Sequence, residues 1–414
     1  MPSGQQPLAS AHAAKHPTTH AGGPTGRRTN TQEKTLKNLR ATSVLAAGLG
    51  ISFLLTSCTP TPPAQPSPPS TPSATSSTPS PSTSRSEEPA GQAAPTGTPR
   101  VISSGLEAPW SVVFRDGTAL VSERDSARIL ELADDGSSRV LGTVPGVAGS
   151  GEGGLLGLAV DELGRLYVYS TGAGENRIQR FDVTGTPGSL ALGEAVTILD
   201  GIDSASYHDG GRLAFGPDGM LYATVGDAGQ AGKAQDVDSL VGKILRMTPD
   251  GSVPNDNPFA GSLVYSYGHR NPQGLAWAQD GTMFATEFGQ NTWDELNIIT
   301  AGANYGWPTV EGIEEAEGFT NPVQQWTPDV ASPSGMTHID GTLFIANLRG
   351  SVLRAVPVAD PATFTDHYAG EYGRIRDVTV SPDGELWFLT NNTDGRGTPG
   401  PEDDRILGVD LGSQ

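Results

Sequence analysis

The sequence YHDGGRLAFGPDGMLYATVGD, residues 207–227, holds the clearest fold signal of the chain together with a candidate catalytic group. Its second half predicts a β-hairpin, because an apolar run and a Pro-Asp-Gly turn precede the alternating residues 220–225. Its first half places His208 and two glycines directly before the hairpin. A neutral imidazole is a common proton acceptor near pH 7, and glycine lets a ligand approach the backbone closely. A single histidine is also often a hydrogen-bonded structural residue, so other residues of the sequence are needed to decide between a catalytic and a structural role.

The same hairpin pattern recurs six times along the chain. The turn glycines are 47, 55, 62, 60 and 43 residues apart: Gly117, Gly164, Gly219, Gly281, Gly341 and Gly384. Each hairpin is followed by another short apolar strand, as in ARILEL after the first and DRILGV after the last. Such repeats predict an all-β fold, a six-bladed β-propeller of four-stranded antiparallel blades, because a blade buries its faces only against its neighbours. A β-sandwich with coincidental turns is the alternative.

Composition agrees with many short strands and excludes one class of partner. The 414 residues include 54 glycines and 33 prolines, and only 17% of the residues are charged. The net charge is −20, and residues 1–58 hold six basic residues against one acidic residue, so the remainder is near −25. Because nucleic-acid phosphates require a basic face, we predict no nucleic-acid partner. The acidic surface favours solubility, with cation binding as a second use.

The N-terminal part predicts export. Residues 41–55 are mostly apolar, too short to span a membrane comfortably, and the following Leu-Thr-Ser-Cys resembles a bacterial lipobox. We therefore predict a lipoprotein-type signal peptide over residues 1–58 that ends at a lipidated Cys58. The mature protein would be a cell-surface lipoprotein on the outer face of the cytoplasmic membrane, held there only through its lipid anchor. A free buried thiol at Cys58 and twin-arginine export through Arg27 and Arg28 are the alternatives.

Residues 59–98 predict a disordered tether, and residues 99–414 predict the folded domain. The tether is almost entirely Pro, Ser, Thr, Ala and Gly, which cannot bury enough apolar surface to offset the entropy of ordering. Cys58 is the only cysteine of the chain, so a structural disulfide is excluded.

Candidate site residues precede the predicted innermost strands. His208, His269 and His338 lie at such positions, which indicates a ring of polar groups around one mouth of the channel. The alternative is that they only satisfy backbone groups locally. Four arginines are similarly placed and indicate a small ligand with several carboxylates: Arg270, Arg349, Arg374 and Arg376. The acidic, glycine-rich loops of residues 287–308 suit a hard cation such as calcium, although no EF-hand spacing is present.

Five motifs resemble the soluble, pyrroloquinoline quinone (PQQ) dependent glucose/sorbosone and aldose sugar dehydrogenases. They are GEGGLLG at 151–157, HDGGRL at 208–213, GHRNPQGL at 268–275, NYGWP at 304–308 and RIRDV at 374–378. The likeness extends in order over residues 105–410. It implies a six-bladed propeller, in agreement with the repeat count, and oxidation of an aldose at C1 to the lactone with PQQ and Ca²⁺.

The resemblance also implies roles for single residues. His208 would be the general base that takes the C1 hydroxyl proton while hydride passes to C5 of PQQ, and Arg270 would stabilise charge on the quinone oxygens. Five residues would contact the cofactor: Glu152, Asn271, Arg349, Arg374 and Arg376. Calcium ligands would come from backbone carbonyls of Gly289 and Gln290, with a second site at Glu295 and the Tyr305 carbonyl. The glucose dehydrogenases have glutamine where this chain has Glu152, and lysine where it has Arg349.

The partners implied are a small sugar and an electron acceptor of unknown identity, and the protein would be a monomer or dimer. Two alternatives come from other functional classes. A non-enzymatic extracellular propeller would serve only in binding, but it has no reason to keep His208, Arg270, Arg374 and Arg376 together. A calcium-dependent propeller lactonase needs a central ring of acidic and Asn ligands, which this pattern does not clearly supply.

Overall fold

The computed structural model describes residues 91–413, so the predicted signal peptide, Cys58 and most of the predicted tether lie outside the described residues. The described part contains 24 β-strands and one 3-10 helix, Ala231–Gln235. No helix within residues 91–413 has the length and apolar character needed to cross a membrane.

The strands form six four-stranded antiparallel sheets, which confirms the predicted six-bladed propeller. Blade 1 contains β2 (Pro109–Arg115), β3 (Thr118–Glu123), β4 (Arg128–Leu132) and β5 (Ser138–Thr143). Blade 2 contains β6 (Leu155–Val160), β7 (Leu166–Thr171), β8 (Glu175–Thr184) and β9 (Ala191–Asp203). Blade 3 contains β10 (Leu213–Phe215), β11 (Leu221–Val225), β12 (Lys243–Met247) and β13 (Val264–Tyr267).

The remaining three blades have the same strand order. Blade 4 contains β14 (Pro272–Trp277), β15 (Met283–Glu287), β16 (Asp294–Ile299) and β17 (Gln324–Trp326). Blade 5 contains β18 (Pro333–Ile339), β19 (Thr342–Asn347), β20 (Val352–Pro357) and β21 (Thr365–His367). Blade 6 contains β22 (Ile375–Val380), β23 (Leu386–Thr390), β24 (Ile406–Ser413) and β1 (Ala93–Ser103).

The outer strand of blade 6 comes from the beginning of the domain. β1 pairs antiparallel with β24, from Ala93 opposite Ser413 to Ser103 opposite Ile406. The first strand therefore begins six residues before Pro99, where the sequence predicts the domain to begin. The reason is that pairing with the last strand of the chain orders a segment whose composition alone favours disorder. The pairing closes the ring, because both ends of the domain are held in one sheet.

The hydrophobic core is divided into six clusters, one at each interface between neighbouring blades. Strands in the middle of a blade are covered on both faces, so every residue of β7 is buried, including Tyr167 and Tyr169. Burial of apolar surface stabilises a fold by roughly 25 cal/mol per Å², so each blade depends on both neighbours for its stability. This packing holds the loops at the ends of the channel in fixed positions.

The six predicted turns all join the first and second strands of a blade. Gly219, between β10 and β11, has φ of +72°, a conformation that glycine adopts without steric cost. Opposite these turns, five innermost strands carry a β-bulge or irregularity near their first residues: β2, β6, β14, β18 and β22. Bulges redirect side chains at the ends of strands. The candidate site lies at this end of the propeller.

Candidate active site

His208 lies in the loop before β10, at the end of the channel where the innermost strands begin. Its backbone has φ of +61°, which is uncommon for a residue other than glycine. Its Nδ1 lies 2.7 Å from Oδ1 of Asp227, and 13% of its side chain is exposed. The Nε2 atom makes no hydrogen bond with any described residue. The imidazole is therefore oriented through one nitrogen and has the other available.

Asp227 follows β11 and provides the carboxylate that contacts His208 Nδ1. Its Oδ1 also accepts a hydrogen bond from the Gly229 amide at 2.8 Å, and its Oδ2 accepts one from Trp307 Nε1 at 2.8 Å. Burial opposes ionisation, but the hydrogen bond and charge of His208 and the bond from Trp307 hold the pKa of Asp227 below its ordinary value. The carboxylate is thus ionised at neutral pH, and it favours the tautomer of His208 that carries a proton on Nδ1.

Glu152 connects His208 to another blade. Its Oε2 accepts a hydrogen bond from the His208 amide at 2.8 Å, and its Oε1 lies 3.2 Å from Arg396 Nη2. Glu152 precedes β6, whereas Arg396 lies in the loop between β23 and β24. The contact to the His208 amide supports the strained backbone of the histidine.

Arg270 and Asn271 precede β14 on the same side of the channel. Arg270 Nη1 donates to the carbonyls of Phe288 at 3.0 Å and Gly289 at 2.5 Å, and its guanidinium carbon lies 5.3 Å from the Trp307 ring centroid. Burial lowers the pKa of Arg270, and the carboxylates of nearby acids oppose this shift. Asn271 is fully buried, and its Oδ1 accepts a hydrogen bond from the Gly210 amide at 3.0 Å.

Two buried donors here have no hydrogen-bond partner among the described residues, namely Arg270 Nε and Asn271 Nδ2. Leaving a buried donor unpaired costs about 1–3 kcal/mol, so native proteins rarely do so without another group nearby. These orphaned donors therefore fit an additional polar group held in the mouth of the channel.

Arg374 directly precedes β22, and Arg376 lies within it. Arg374 Nη2 lies 2.9 Å from Asp394 Oδ2, and Arg376 Nη1 donates to Gln273 Oε1 at 3.0 Å. Burial lowers the pKa of Arg376 to about 9, with Asp394 opposing this shift and the charge of Arg374 reinforcing it. Guanidinium groups whose charge is this poorly compensated favour a bound anion.

Arg349 does not join this group. It is exposed on the turn between β19 and β20, and it makes no hydrogen bond or ion pair with any residue in the range 91–413. Its neighbour Leu348 lines the cavity between Trp110, Glu152 and Arg376, whereas Arg349 does not.

The residues predicted to bind calcium lie in two different environments. The Gly289 carbonyl already accepts from Arg270, so a calcium ion at Gly289 and the exposed Gln290 requires Arg270 to turn away. Glu295 is buried, and burial together with the Glu287 carboxylate raises its pKa to about 8. Its Oε1 accepts from the Gly312 amide at 2.6 Å.

The surroundings of Glu295 fit a cation better than those of Gly289. Asn297 Nδ2 donates to Glu287 Oε1 at 3.1 Å and to Glu295 Oε2 at 3.0 Å, while its buried Oδ1 finds no donor in the described part of the chain. Tyr305 stacks on His269, with the ring centroids 4.7 Å apart, and it lines the same small cavity as Glu287 and Glu295. Within residues 91–413, however, no three His, Cys, Asp or Glu side chains are arranged as a metal site.

Sequence reasoning missed four residues of the site: Arg124, Asp227, Trp307 and Arg396. Asp227 had a usable signal, because it follows β11, the second strand of the hairpin after His208, and so returns to the same end of the blade. Arg124 and Arg396 had none, because they reach the site from loops that no motif marks.

Comparison with known proteins agrees with this geometry. The Glucose / Sorbosone dehydrogenase family matches residues 106–398. Aldose sugar dehydrogenase YliI of Escherichia coli is 32% identical over 342 residues, which cover 71% of this chain and 90% of that protein. Quinoprotein glucose dehydrogenase B of Acinetobacter calcoaceticus is 34% identical over 260 residues, 53% of this chain and 54% of that protein, so the match spans about half the length of that relative.

Among solved structures, the PQQ-bound form of aldose sugar dehydrogenase from Streptomyces coelicolor is 46% identical, with a TM-score of 0.73. The match covers 78% of this chain and 99% of that chain. The family match, the relatives and the six-bladed fold agree, and the chain belongs to the glucose/sorbosone dehydrogenase family of oxidoreductases.

Proposed function

We propose that the chain oxidises an aldose sugar at C1 to the lactone, with PQQ as the cofactor. The observation that carries the proposal is the 2.7 Å hydrogen bond between His208 Nδ1 and Asp227, which leaves Nε2 available at the mouth of the channel. The similar Streptomyces coelicolor structure is the PQQ-bound form of an aldose sugar dehydrogenase, which supports the same assignment here.

His208 acts as the general base. With the proton on Nδ1 directed at Asp227, Nε2 takes the proton of the sugar C1 hydroxyl as the C–H bond at C1 breaks. The ionised Asp227 stabilises the imidazolium that results, in the way that a buried aspartate supports histidine in a Ser-His-Asp triad. General bases of this kind typically contribute about 10²–10⁴-fold to the rate.

The residues around His208 fit PQQ, because buried donors without partners and poorly compensated arginines face the same mouth. Asn271 Nδ2 and Arg270 would hold the ring system, and Arg374 and Arg376 would hold its carboxylates. When bound, PQQ supplies the acceptor for the two electrons of the oxidation. Arg270 carries positive charge in a buried position, where it stabilises developing negative charge more strongly than it would in water.

Calcium is the second part of the proposal. The carboxylate of Glu295, with Glu287 nearby and the unpaired Asn297 Oδ1, supports a structural calcium ion that also takes the Tyr305 carbonyl. Calcium at Gly289 and Gln290 depends on prior movement of Arg270. Adding EDTA should lower the melting temperature, and calcium should restore it, because a cation that binds only the folded state stabilises that state.

For localisation we propose an exported lipoprotein attached through Cys58, supported by the lipobox-like sequence and the Pro/Ser/Thr-rich segment after it. Wild-type protein should partition with membranes and carry a lipid-modified N-terminal cysteine in mass spectra. Cys58→Ser should be found in the soluble fraction with its dehydrogenase activity intact. Membrane attachment of the serine variant would contradict a lipid anchor at this position.

The test of the activity is reconstitution with PQQ and calcium, followed by assay of aldoses with an artificial electron acceptor. His208→Gln should bind PQQ with wild-type affinity and lose about 10²–10⁴-fold in turnover. His338→Gln is the matched control, because His338 lies near the last residue of β18, at the opposite end of the channel, so its predicted place in the ring of polar groups at the mouth was wrong. Wild-type protein that binds no PQQ under calcium saturation contradicts the proposal, and binding without oxidation of any aldose indicates a binding module instead.

A further inference from the structure

Four arginines lie around Asp394 at the mouth of the channel, two of them with their guanidiniums near its carboxylate. Asp394 Oδ2 lies 2.9 Å from Arg374 Nη2 and 3.9 Å from Arg376 Nη2, and its side chain is fully buried. Arg124 Nη2 donates to the Asp394 carbonyl at 3.3 Å, and the Arg396 amide donates to Asp394 Oδ1 at 2.8 Å. Blade 1 and blade 6 thus bring their arginines to one point, which we call the Asp394 cluster.

The Asp394 cluster has more positive than negative charge in its buried part. Arg376 is buried and hydrogen-bonded mainly to neutral groups, Gln273 Oε1 at 3.0 Å and Asn391 Oδ1 at 3.2 Å. Arg124 is also buried, and its carboxylate partner Asp125 is 60% exposed and therefore well screened by water. An anion entering between these guanidiniums would relieve their mutual repulsion.

Glu152 is the remaining anion at this position. It shares a cavity with Arg124, Arg376 and Arg396, and the cavity volume is about 20 Å³, enough for one water molecule. A ligand larger than water must therefore displace a side chain. Arg396 is the one free to move, because 48% of its side chain is exposed and its contact to Glu152 Oε1 is 3.2 Å long.

We propose that Arg124 and Arg396 bind carboxylate groups of the anionic cofactor together with Arg374 and Arg376, and that Glu152 pairs with Arg396 until that cofactor arrives. The inference rests on the proposed function for the identity of the ligand. It replaces the exposed Arg349 with two arginines of the Asp394 cluster. The inference also gives the carboxylate of Glu152 a role, because it competes with the cofactor for Arg396 and so lowers the affinity for the cofactor.

The experiment measures binding of PQQ to the PQQ-free full chain, in saturating calcium, by quenching of tryptophan fluorescence, and it needs no turnover. Arg396→Gln and Arg124→Gln should each weaken binding at least tenfold, because each loses a charge-assisted hydrogen bond. Arg100→Gln is the matched control, since Arg100 is 58% exposed and ion-paired with Glu385 on blade 6. Its affinity should stay within twofold of wild type.

Glu152→Gln shows whether Glu152 competes with the cofactor for Arg396 or itself contacts the cofactor. It should tighten PQQ binding about three- to tenfold by freeing Arg396, and this gain should vanish in the Arg396→Gln background, as a double-mutant cycle would show. Weaker binding by Glu152→Gln, or a gain that persists without Arg396, overturns the competitor role. If Arg124→Gln does not fold, Arg396→Gln decides the question alone.

A parallel titration with citrate, a tricarboxylate without a quinone, separates this inference from the proposed function. Citrate binding that depends on Arg396, in a protein that does not bind PQQ, would support the arginine site and reject the PQQ assignment. PQQ binding with equal affinity in Arg396→Gln, Arg124→Gln and Arg100→Gln would reject the inference and leave the proposed function intact. Absence of binding by either ligand would overturn both.

Discussion

Asp227→Asn tests the arrangement of the catalytic histidine with the smallest change in shape. The carboxylate accepts three hydrogen bonds, from His208 Nδ1 and the Gly229 amide on Oδ1 and from Trp307 Nε1 on Oδ2. Asparagine has one acceptor oxygen and one NH₂ group. In either orientation its NH₂ group meets a donor, so the substitution cannot be neutral.

The two orientations predict different losses. With the amide oxygen towards His208, two of the three donors remain satisfied, and only Trp307 loses its acceptor. The imidazole keeps its tautomer but loses a bond to a charged group, worth about 1.5–3 kcal/mol, and gains one to a neutral group, worth about 0.5–1.5 kcal/mol. The difference corresponds to roughly tenfold in rate. With NH₂ towards His208, the proton moves to Nε2, and the loss approaches the roughly 10⁴-fold known for a triad with the wrong tautomer.

Because the first orientation satisfies more donors, we expect a decrease in kcat of about 10- to 100-fold with little change in PQQ affinity. The assay is steady-state oxidation of an aldose by the PQQ- and calcium-reconstituted protein. Asp203→Asn is the matched control, since Asp203 is half-exposed and paired with Lys233 at 2.6 Å. A kcat for Asp227→Asn within twofold of wild type would refute the role of the pair.

Three further predictions concern stability. Burial opposes ionisation of Asp394, but the charges of Arg374 and Arg376 hold its pKa below the ordinary value. The ionised carboxylate therefore stabilises the fold above the unfolded pKa of 3.8, and this stabilisation is lost as pH falls through the folded pKa. Asp394→Asn should melt below wild type at pH 7, and the difference in melting temperature should shrink in thermal scans below pH 3.8. Lys243 is buried and donates to the carbonyls of Lys233, Ala234 and Val241 at 2.8, 3.0 and 2.6 Å, and burial lowers its pKa to about 8. Between pH 8 and 10 the unfolded chain binds more protons there, so the free energy of unfolding in urea should rise with pH by at most about 1.4 kcal/mol per pH unit, and Lys243→Met should lack that increase. A Cβ on Gly157 would lie 2.2 Å from the Gly211 carbonyl oxygen, so Gly157→Ala should lower the free energy of unfolding by about 1–3 kcal/mol. A Cβ on Gly232 would meet nothing within 4 Å, so Gly232→Ala is the control and should not lower it. Equal urea midpoints for the two variants would contradict this packing argument.

The hairpins of the propeller were predictable from the sequence alone. A turn glycine such as Gly219 and the alternating residues beside it encode a hairpin within about a dozen residues, and the structure confirms six of them. The strand after each hairpin was also recognisable from its apolar residues. Local signals suffice here because both strands of a hairpin are close in sequence.

The outer strands were not predictable in the same way. β9 is largely exposed and β21 has only three residues, so neither has a strong apolar pattern. β1 becomes a strand only because β24, at the other end of the domain, provides its hydrogen-bonding partner. A pairing between residues about 300 positions apart leaves no local signal, and the predicted domain boundary was therefore late.

The sequence by itself determined the repeat, the acidic charge and the residue types at the mouth, including His208, Arg270, Asn271, Arg374 and Arg376. Only the tertiary structure decided which groups meet them. Trp307 reaches Asp227 across 80 residues and Arg396 reaches Glu152 across 244, because ring closure brings together loops from different blades. The same geometry leaves Arg349 exposed and places Arg124 and Arg396 beside the buried arginines. Residue chemistry can be read along the chain, but the distances that turn it into a site arise from packing between blades.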